Sequence, residues 1–236
     1  MKLFWKMAAV LALLFLVPAA RGQEDYEFIP IVKKSTPTRV AAPDFRGAPQ
    51  LPGHDPAPAM LTRALRDTVA MTGLFDLVPP ASYPEPGLPG AKENLAAWKL
   101  INADLLVRGD VAMIGLKRYQ VELRCYDLKQ DRMVLGKRYT GGPEMFNRMV
   151  LKYMDELIQW LTGKRSALDS RVAYVSDQTG RNELRIMDTD GANSQAITSN
   201  RTLNLSPAWS PDGRYLLYVG YRDRNPDLEG ESDPDP

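Results

Sequence analysis

A chain of 236 residues with 44% hydrophobic and 25% charged side chains is long enough for one or two domains with real cores, which excludes disorder throughout. Its 30 basic and 29 acidic residues leave a formal charge of +1, and the basic ones are scattered, so the electrostatic footprint of a nucleic-acid binder is missing. One cysteine, Cys125, excludes an internal disulfide and leaves stability to packing.

The first 22 residues follow the plan of a secretory signal peptide. Lys2 and Lys6 precede an apolar run from Met7 to Val17, and Ala19, Ala20 and Gly22 offer small residues for cleavage before Gln23. Pro18 and Arg21 end that run short of the roughly 20 apolar residues a membrane span needs. Residues 23–38 then form an extended segment. Tyr26, Phe28, Ile29 and Ile31 are its apolar side chains, and Pro30 and Pro37 keep it from becoming helix. Such a stretch either orders on a protein partner or packs back on the next domain as an edge strand.

Residues 39–165 read as one α/β domain. Val40-Ala41-Ala42 is the core of a strand over 39–45, and the Pro- and Gly-rich stretch 45–58 reads as loop. Met60, Leu61, Ala64, Leu65, Thr68 and Met71 recur at three- and four-residue spacing, a helix that Gly73 caps. A short strand over 74–78 ends at Pro79-Pro80, and residues 80–90 make a stiff irregular connection. Next come a short helix over 94–101, with Leu95, Trp98 and Ile101 on one side, and strands over 104–114, 119–128 and 133–139. Lys129-Gln130-Asp131 is a hairpin turn, and a last helix over 143–161 carries Met145, Met149, Tyr153, Ile158 and Leu161 before Thr162-Gly163 stops it.

From Arg171 the texture is strands alone. Residues 171–176 and 183–189 flank a Gln178-Thr179-Gly180-Arg181 turn, Asp190-Gly191 turns again, and a third strand starts at Gln195. Ser206-Pro207-Ala208-Trp209-Ser210-Pro211-Asp212-Gly213 reads as a turn feeding the strand Tyr215 to Val219, the mark of a β-propeller blade. Tyr218 stands 44 positions after Tyr174, within the about 40–45 residues of a four-stranded blade. The alignment carries Val172 onto Leu216, Val175 onto Val219 and Leu184 onto Leu228, then fails where Arg185-Ile186-Met187 faces Glu229-Gly230-Glu231, and the remaining Ser232 to Pro236 has no strand character. The expectation is therefore a partial propeller over 171–228 and a non-matching tail over 229–236. That tail reads as foreign to the fold, through a frameshift, a premature stop or a truncated gene model, or else as a natural acidic end.

Residues that invite chemistry have plainer readings beside them. His54 with Asp55 lies in a loop and no Gly-x-Ser-x-Gly elbow accompanies it, so neither a catalytic site nor a cofactor is expected. Asp188-Thr189-Asp190-Gly191-Ala192-Asn193 lacks the ligand order of an EF-hand and reads as a turn, with no metal expected. Trp98 and Trp209 read as packing, and Cys125, alternating with Val121 and Leu123, as a buried structural thiol.

Several phrases in order carry a resemblance: Ala42-Pro43-Asp44-Phe45, Gly73-Leu74-Phe75, Ala97-Trp98-Lys99-Leu100, Ala103-Asp104-Leu105-Leu106-Val107-Arg108-Gly109, Leu161-Thr162-Gly163, Arg171-Val172-Ala173-Tyr174-Val175, Asp188 to Asn193, and Ser206 to Gly213. Over about residues 28–228 the chain resembles the TolB family, periplasmic components of the Tol-Pal system of Gram-negative bacteria. The resemblance implies an α/β N-terminal domain followed by a propeller, six-bladed in the full family and incomplete here. It also implies a non-enzymatic periplasmic scaffold linking outer membrane, peptidoglycan and inner membrane, for envelope integrity and cell division. In that family the propeller face binds the lipoprotein Pal, most of that face lying on blades beyond the partial propeller here, and the mature N-terminal segment binds TolA; by position this would be the region of about residues 23–34, within which Tyr26, Phe28, Ile29 and Ile31 are the apolar candidates read above. Small-molecule substrates and nucleic acid have no place in it. Two further readings are a stand-alone periplasmic protein-binding module and a fragment of a prolyl-oligopeptidase-like hydrolase.

Overall fold

A computed structural model describes residues 37–49, 51–85, 93–222 and 225–233. The signal peptide, the extended segment up to Thr36 with Tyr26, Phe28, Ile29 and Ile31, and the final residues 234–236 lie outside them.

The N-terminal domain is a mixed sheet. Strand β1 (Thr38–Ala41) is flanked in parallel by β3 (Phe75–Leu77) and β4 (Leu105–Gly115), and β5 (Arg118–Asp127) and β6 (Arg132–Gly141) extend the sheet as antiparallel hairpins. Residues 45–58 are not loop throughout. Arg46–Gly47 form a short strand, β2, pairing in parallel with Asp110 and Val111 of β4. A four-residue kink joins β1 to β2, and side chains satisfy its backbone: Phe45 N–H donates to Thr62 Oγ1 at 2.9 Å and Ala42 N–H to Tyr83 Oη at 3.1 Å. Gly109 is required beside this kink, because a Cβ there would lie 2.2 Å from the Phe45 ring.

Helix α1 (Ala57–Thr72) and helix α3 (Phe146–Thr162) cover one face of the sheet. Both end on a left-handed glycine, Gly73 at φ 62° and Gly163 at φ 76°, a cap that L side chains adopt only with strain. α1 buries Leu61, Ala64, Leu65, Thr68 and Val69, whereas Met60 and Met71, read from spacing as part of its apolar face, are 44% and 45% exposed. Met145 precedes α3 in a 3-10 turn and is half-exposed, while Leu161 packs on the core from its rim. The other sheet face carries the short helix α2 (Leu95–Lys99), whose Trp98 is buried with Ala41, Val78, Leu106 and Leu128.

Two three-stranded antiparallel sheets follow: β7 (Arg171–Ser176), β8 (Glu183–Asp188) and β9 (Gln195–Ala196), then β10 (Asn204–Trp209), β11 (Tyr215–Gly220) and β12 (Asp227–Ser232). Two corrections arise here. Residues 204–209 are a strand rather than only the approach to a turn; Ser206 takes φ 53° at a register break between Leu205 and Ala208, so Pro207 sits where the ladder is interrupted. Residues 229–232, expected to belong to a non-matching tail, pair with β11 from Tyr215↔Ser232 to Tyr218↔Glu229, in a ladder that runs on to Gly220↔Asp227. That is the register of Arg171↔Asp188 to Ser176↔Glu183 in the first sheet, moved by 44 residues at both strands. Main-chain bonding to β11 supplies what the side chains of Asp-Leu-Glu-Gly-Glu-Ser do not. The architecture is thus an α/β domain followed by part of a β-propeller.

Candidate functional site

Ordered turns and side-chain hydrogen-bond hubs stand out among the described residues. The Ser210–Gly213 turn is fixed from within: Ser210 Oγ donates to Asp212 Oδ1 at 2.6 Å, Arg214 N–H donates to the same oxygen, and Tyr215 N–H donates to Ser210 Oγ. The bonds from Ser210, first, and from the Arg214 N–H hold the Asp212 carboxyl below its usual range. Gly213 closes the turn at φ 70°. Trp209 packs against the small core that joins the two sheets, made of Leu184, Ile186, Leu216 and Tyr218, and the Arg171 guanidinium lies 5.8 Å from its ring centre. Asp233, placed by sequence in the non-matching tail, is buried and ion-paired with Arg171 of the first sheet.

A carboxylate hub sets the connection between the sheets. Glu183 Oε2 accepts from Thr198 Oγ1 at 2.5 Å and from Asn204 Nδ2 at 3.3 Å, and its Oε1 accepts from the Arg201 N–H at 2.8 Å. Thr198 Oγ1 also accepts from the Leu184 N–H at 2.9 Å. One side chain at the start of β8 therefore holds the whole 198–204 connector, with Asn204 fully buried beside it.

The sequence-flagged residues take structural places. Asp55 accepts the Ala57 N–H on one oxygen and the Tyr119 hydroxyl on the other, so it caps α1 and is not free to orient His54. Burial and then Asp55 push the Tyr119 phenol above its ordinary range. In the 188–193 turn, Asp188 Oδ2 accepts from Asn193 Nδ2, while Asp190 accepts from the Ala192 N–H and from Asn147 of α3. This last bond, with Thr189 Oγ1 donating to the Leu168 carbonyl, fastens the first sheet to the α/β domain. Trp98 stacks edge-on with Tyr83 at 5.4 Å and under Arg108 at 5.2 Å, which is packing. The Cys125 thiol is fully buried and burial pushes it up to about 12.

One arrangement escaped the sequence reading. On the sheet face beside Trp98, charges alternate across neighbouring strands and the segment before α2: Arg46 pairs with Asp110 of β4 at 2.7 Å and with Glu93 of that segment at 2.9 Å, and Arg108 with Glu93 at 2.9 Å. Arg124 continues the row to Asp110 at 2.6 Å and to Glu122, and Arg138 reaches Glu122 at 2.6 Å. Burial alone would lower the Arg46 pKa; the bond to Asp110 and the field of Glu93 leave it raised. The signal was present as Arg108-x-Asp110 opposite Glu122-x-Arg124, the i, i+2 spacing of one strand face.

Comparison with known proteins decides the family. The profile of the TolB amino-terminal domain matches residues 29–134, and that of the TolB beta propeller domain matches residues 158–229. The chain belongs to the TolB family. The Tol-Pal system protein TolB of Desulfosudis oleivorans is 36% identical over 229 residues, covering 93% of this chain and 51% of that protein. The protein of the same name from Syntrophotalea carbinolica is 36% identical over 170 residues, covering 69% and 39%. The crystal structure of TolB from Acinetobacter baumannii superposes with a TM-score of 0.65 at 19% identity, over 84% of this chain and 48% of that one, a likeness of fold. The chain thus spans about half the length of the curated relatives it matches.

Proposed function

We propose that this TolB-family chain is a non-enzymatic binding component of the Tol-Pal system. It is exported by its 1–22 signal to the periplasm, where it links outer membrane, peptidoglycan and inner membrane in support of envelope integrity and cell division. The observation that carries the reading is the alignment of 93% of the chain with a relative named Tol-Pal system protein TolB. The engagement of Asp55, Asp188 and Asp190 in caps and turns agrees with a binding rather than a chemical role.

In this reading the propeller face holds Pal and residues 23–34 hold TolA. The second contact is an extended segment ordering on its partner: Tyr26, Phe28, Ile29 and Ile31 supply apolar anchors, and main-chain hydrogen bonds offset the loss of chain entropy. Titration of the periplasmic part of TolA into chains 23–236 and 35–236 tests it. The longer chain is expected to bind and the shorter to lose at least about tenfold in affinity, roughly 1.4 kcal/mol. Equal affinities, with both chains folded by circular dichroism, would remove the segment from the interface.

A further inference from the structure

A cleft of about 480 Å³ opens beside the first propeller sheet, between the turn at 179–181 and the connector at 199–201. Arg181, Arg185 and Arg201 line it, with hydroxyls from Thr179 and Ser199. Its one lining carboxylate is Glu183, and both of that residue's oxygens are taken by Thr198, Asn204 and the Arg201 N–H. Arg185 is held by Ser194, donating from Nε at 3.0 Å to Oγ and from Nη2 at 3.1 Å to the carbonyl. Neither Arg181 nor Arg201 makes an ion pair with any described residue. A lone guanidinium on a convex surface is ordinary, well solvated and worth little. Three guanidinium groups around one concavity with a single, buried carboxylate leave an excess of positive charge beside shared space.

The backbone adds an independent sign. Arg201 occupies φ 59°, a conformation that suits glycine and costs a residue with a Cβ roughly 1 kcal/mol or more. Its own N–H on Glu183, and the Thr202 N–H and hydroxyl both on Asn200 Oδ1, hold it there. The cleft also borders Ala196 of β9, a strand that pairs with β8 and with no other described strand, so a main-chain edge lies next to the arginines.

We propose that this cleft binds an acidic peptide segment of a protein partner. Carboxylates pair with the planar forks of Arg181 and Arg201, with Arg185 as a third cation, and the extended peptide backbone runs along the β9 edge. A protein segment suits the space better than a single small anion, because the cleft is far larger than one phosphate or carboxylate and a main-chain edge adjoins it. The inference deepens the protein-binding reading above, on which it rests for the choice of a protein as occupant.

The test is a titration of the 23–236 chain with an N-acetylated, C-amidated hexaglutamate peptide, followed by backbone amide NMR shifts and calorimetry, with hexalysine and inorganic phosphate alongside. Saturable shifts confined to residues around 179–201, weakening as salt rises, are the expected result. Arg181→Ala and Arg201→Gly should each cost about tenfold or more in affinity, in line with the loss of a charge-assisted hydrogen bond. Arg201→Gly separates binding from folding, since glycine relieves the φ 59° conformation and keeps the connector in place. Absence of shifts at the cleft, or unchanged affinity in both variants, overturns the proposal. Inorganic phosphate binding as tightly as the peptide makes this a small-anion site and overturns it too. A chain that binds Pal but ignores the peptide defeats the cleft alone, while one that binds the peptide but ignores Pal defeats the Pal reading alone.

Discussion

The two propeller sheets share one backbone plan and differ in what covers it. β7 and β8 pair in the same register as β11 and β12, moved by 44 residues, yet Leu184 is fully buried and its counterpart Leu228 is 75% exposed. Glu183 is the buried hub of a connector, and its counterpart Asp227 is exposed. Ala173, Val175, Leu184 and Ile186 of the first sheet pack against Leu216, Tyr218 and Trp209 of the second. The matching face of the second sheet, with Tyr215, Leu217 and Leu228, meets solvent among the described residues. Strand formation here is a main-chain matter, repeated faithfully; apolar side chains are needed only where another sheet presses on them.

Equivalent truncations should therefore have unequal costs. Leu184→Ala removes a fully buried side chain and should destabilise by about 2–5 kcal/mol, while Leu228→Ala should cost less than about 0.5 kcal/mol. Urea unfolding followed by tryptophan fluorescence reads both, and equal effects would break the comparison. Next in size is Glu183→Ala, which strands Thr198, Asn204 and the Arg201 N–H and should cost about 1–3 kcal/mol; Asp227→Ala should stay near zero.

The smallest effect is one of pH. Tyr174 and Tyr218 are equivalent by the 44-residue shift, but their phenols move in opposite directions. Burial and then Glu229, which accepts the hydroxyl at 2.9 Å, raise Tyr218, whereas the hydrogen bond with Ser194 and then Arg185 lower Tyr174. A raised folded pKa means that the folded state keeps its proton longer. Tyr218 thus contributes stability fully below pH 10, lost as pH rises from 10 through its folded value. The depressed Tyr174 contributes above pH 10 and loses that contribution as pH falls through its folded value. Absorbance titration at about 295 nm of Tyr174→Phe and Tyr218→Phe should remove an early and a late step respectively. The reverse order would mean that the two environments are misassigned.

Periodicity made most of the α/β domain legible. The helix over Leu61, Ala64, Leu65 and Thr68, the strand alternation through Tyr119, Val121, Leu123 and Cys125, and the Gly73 and Gly163 caps stand where spacing places them. What escaped has physical causes. β10 hid inside a phrase rich in Ser and Pro because Ser206 and Pro207 sit at a break in its ladder, and β12 hid because its pairing owes nothing to apolar side chains. The charge row from Arg46 to Arg138 resembled a solvated face, since a strand's charges name no partner until the neighbouring strand is in register. Arg181 and Arg201 lie far apart in sequence, in separate turns, and only the fold sets them around one cleft. The proposed TolA contacts, Tyr26, Phe28, Ile29 and Ile31, rest on the sequence alone and lie outside the described residues.

The most direct measurement on the account as a whole is a calorimetric titration of the 23–236 chain with the soluble domain of Pal. Saturable binding with defined stoichiometry, by a chain whose unfolding is cooperative, is the predicted result. A chain that unfolds cooperatively and yet shows no heat with Pal at any reachable concentration would contradict the assignment of Pal binding to this polypeptide.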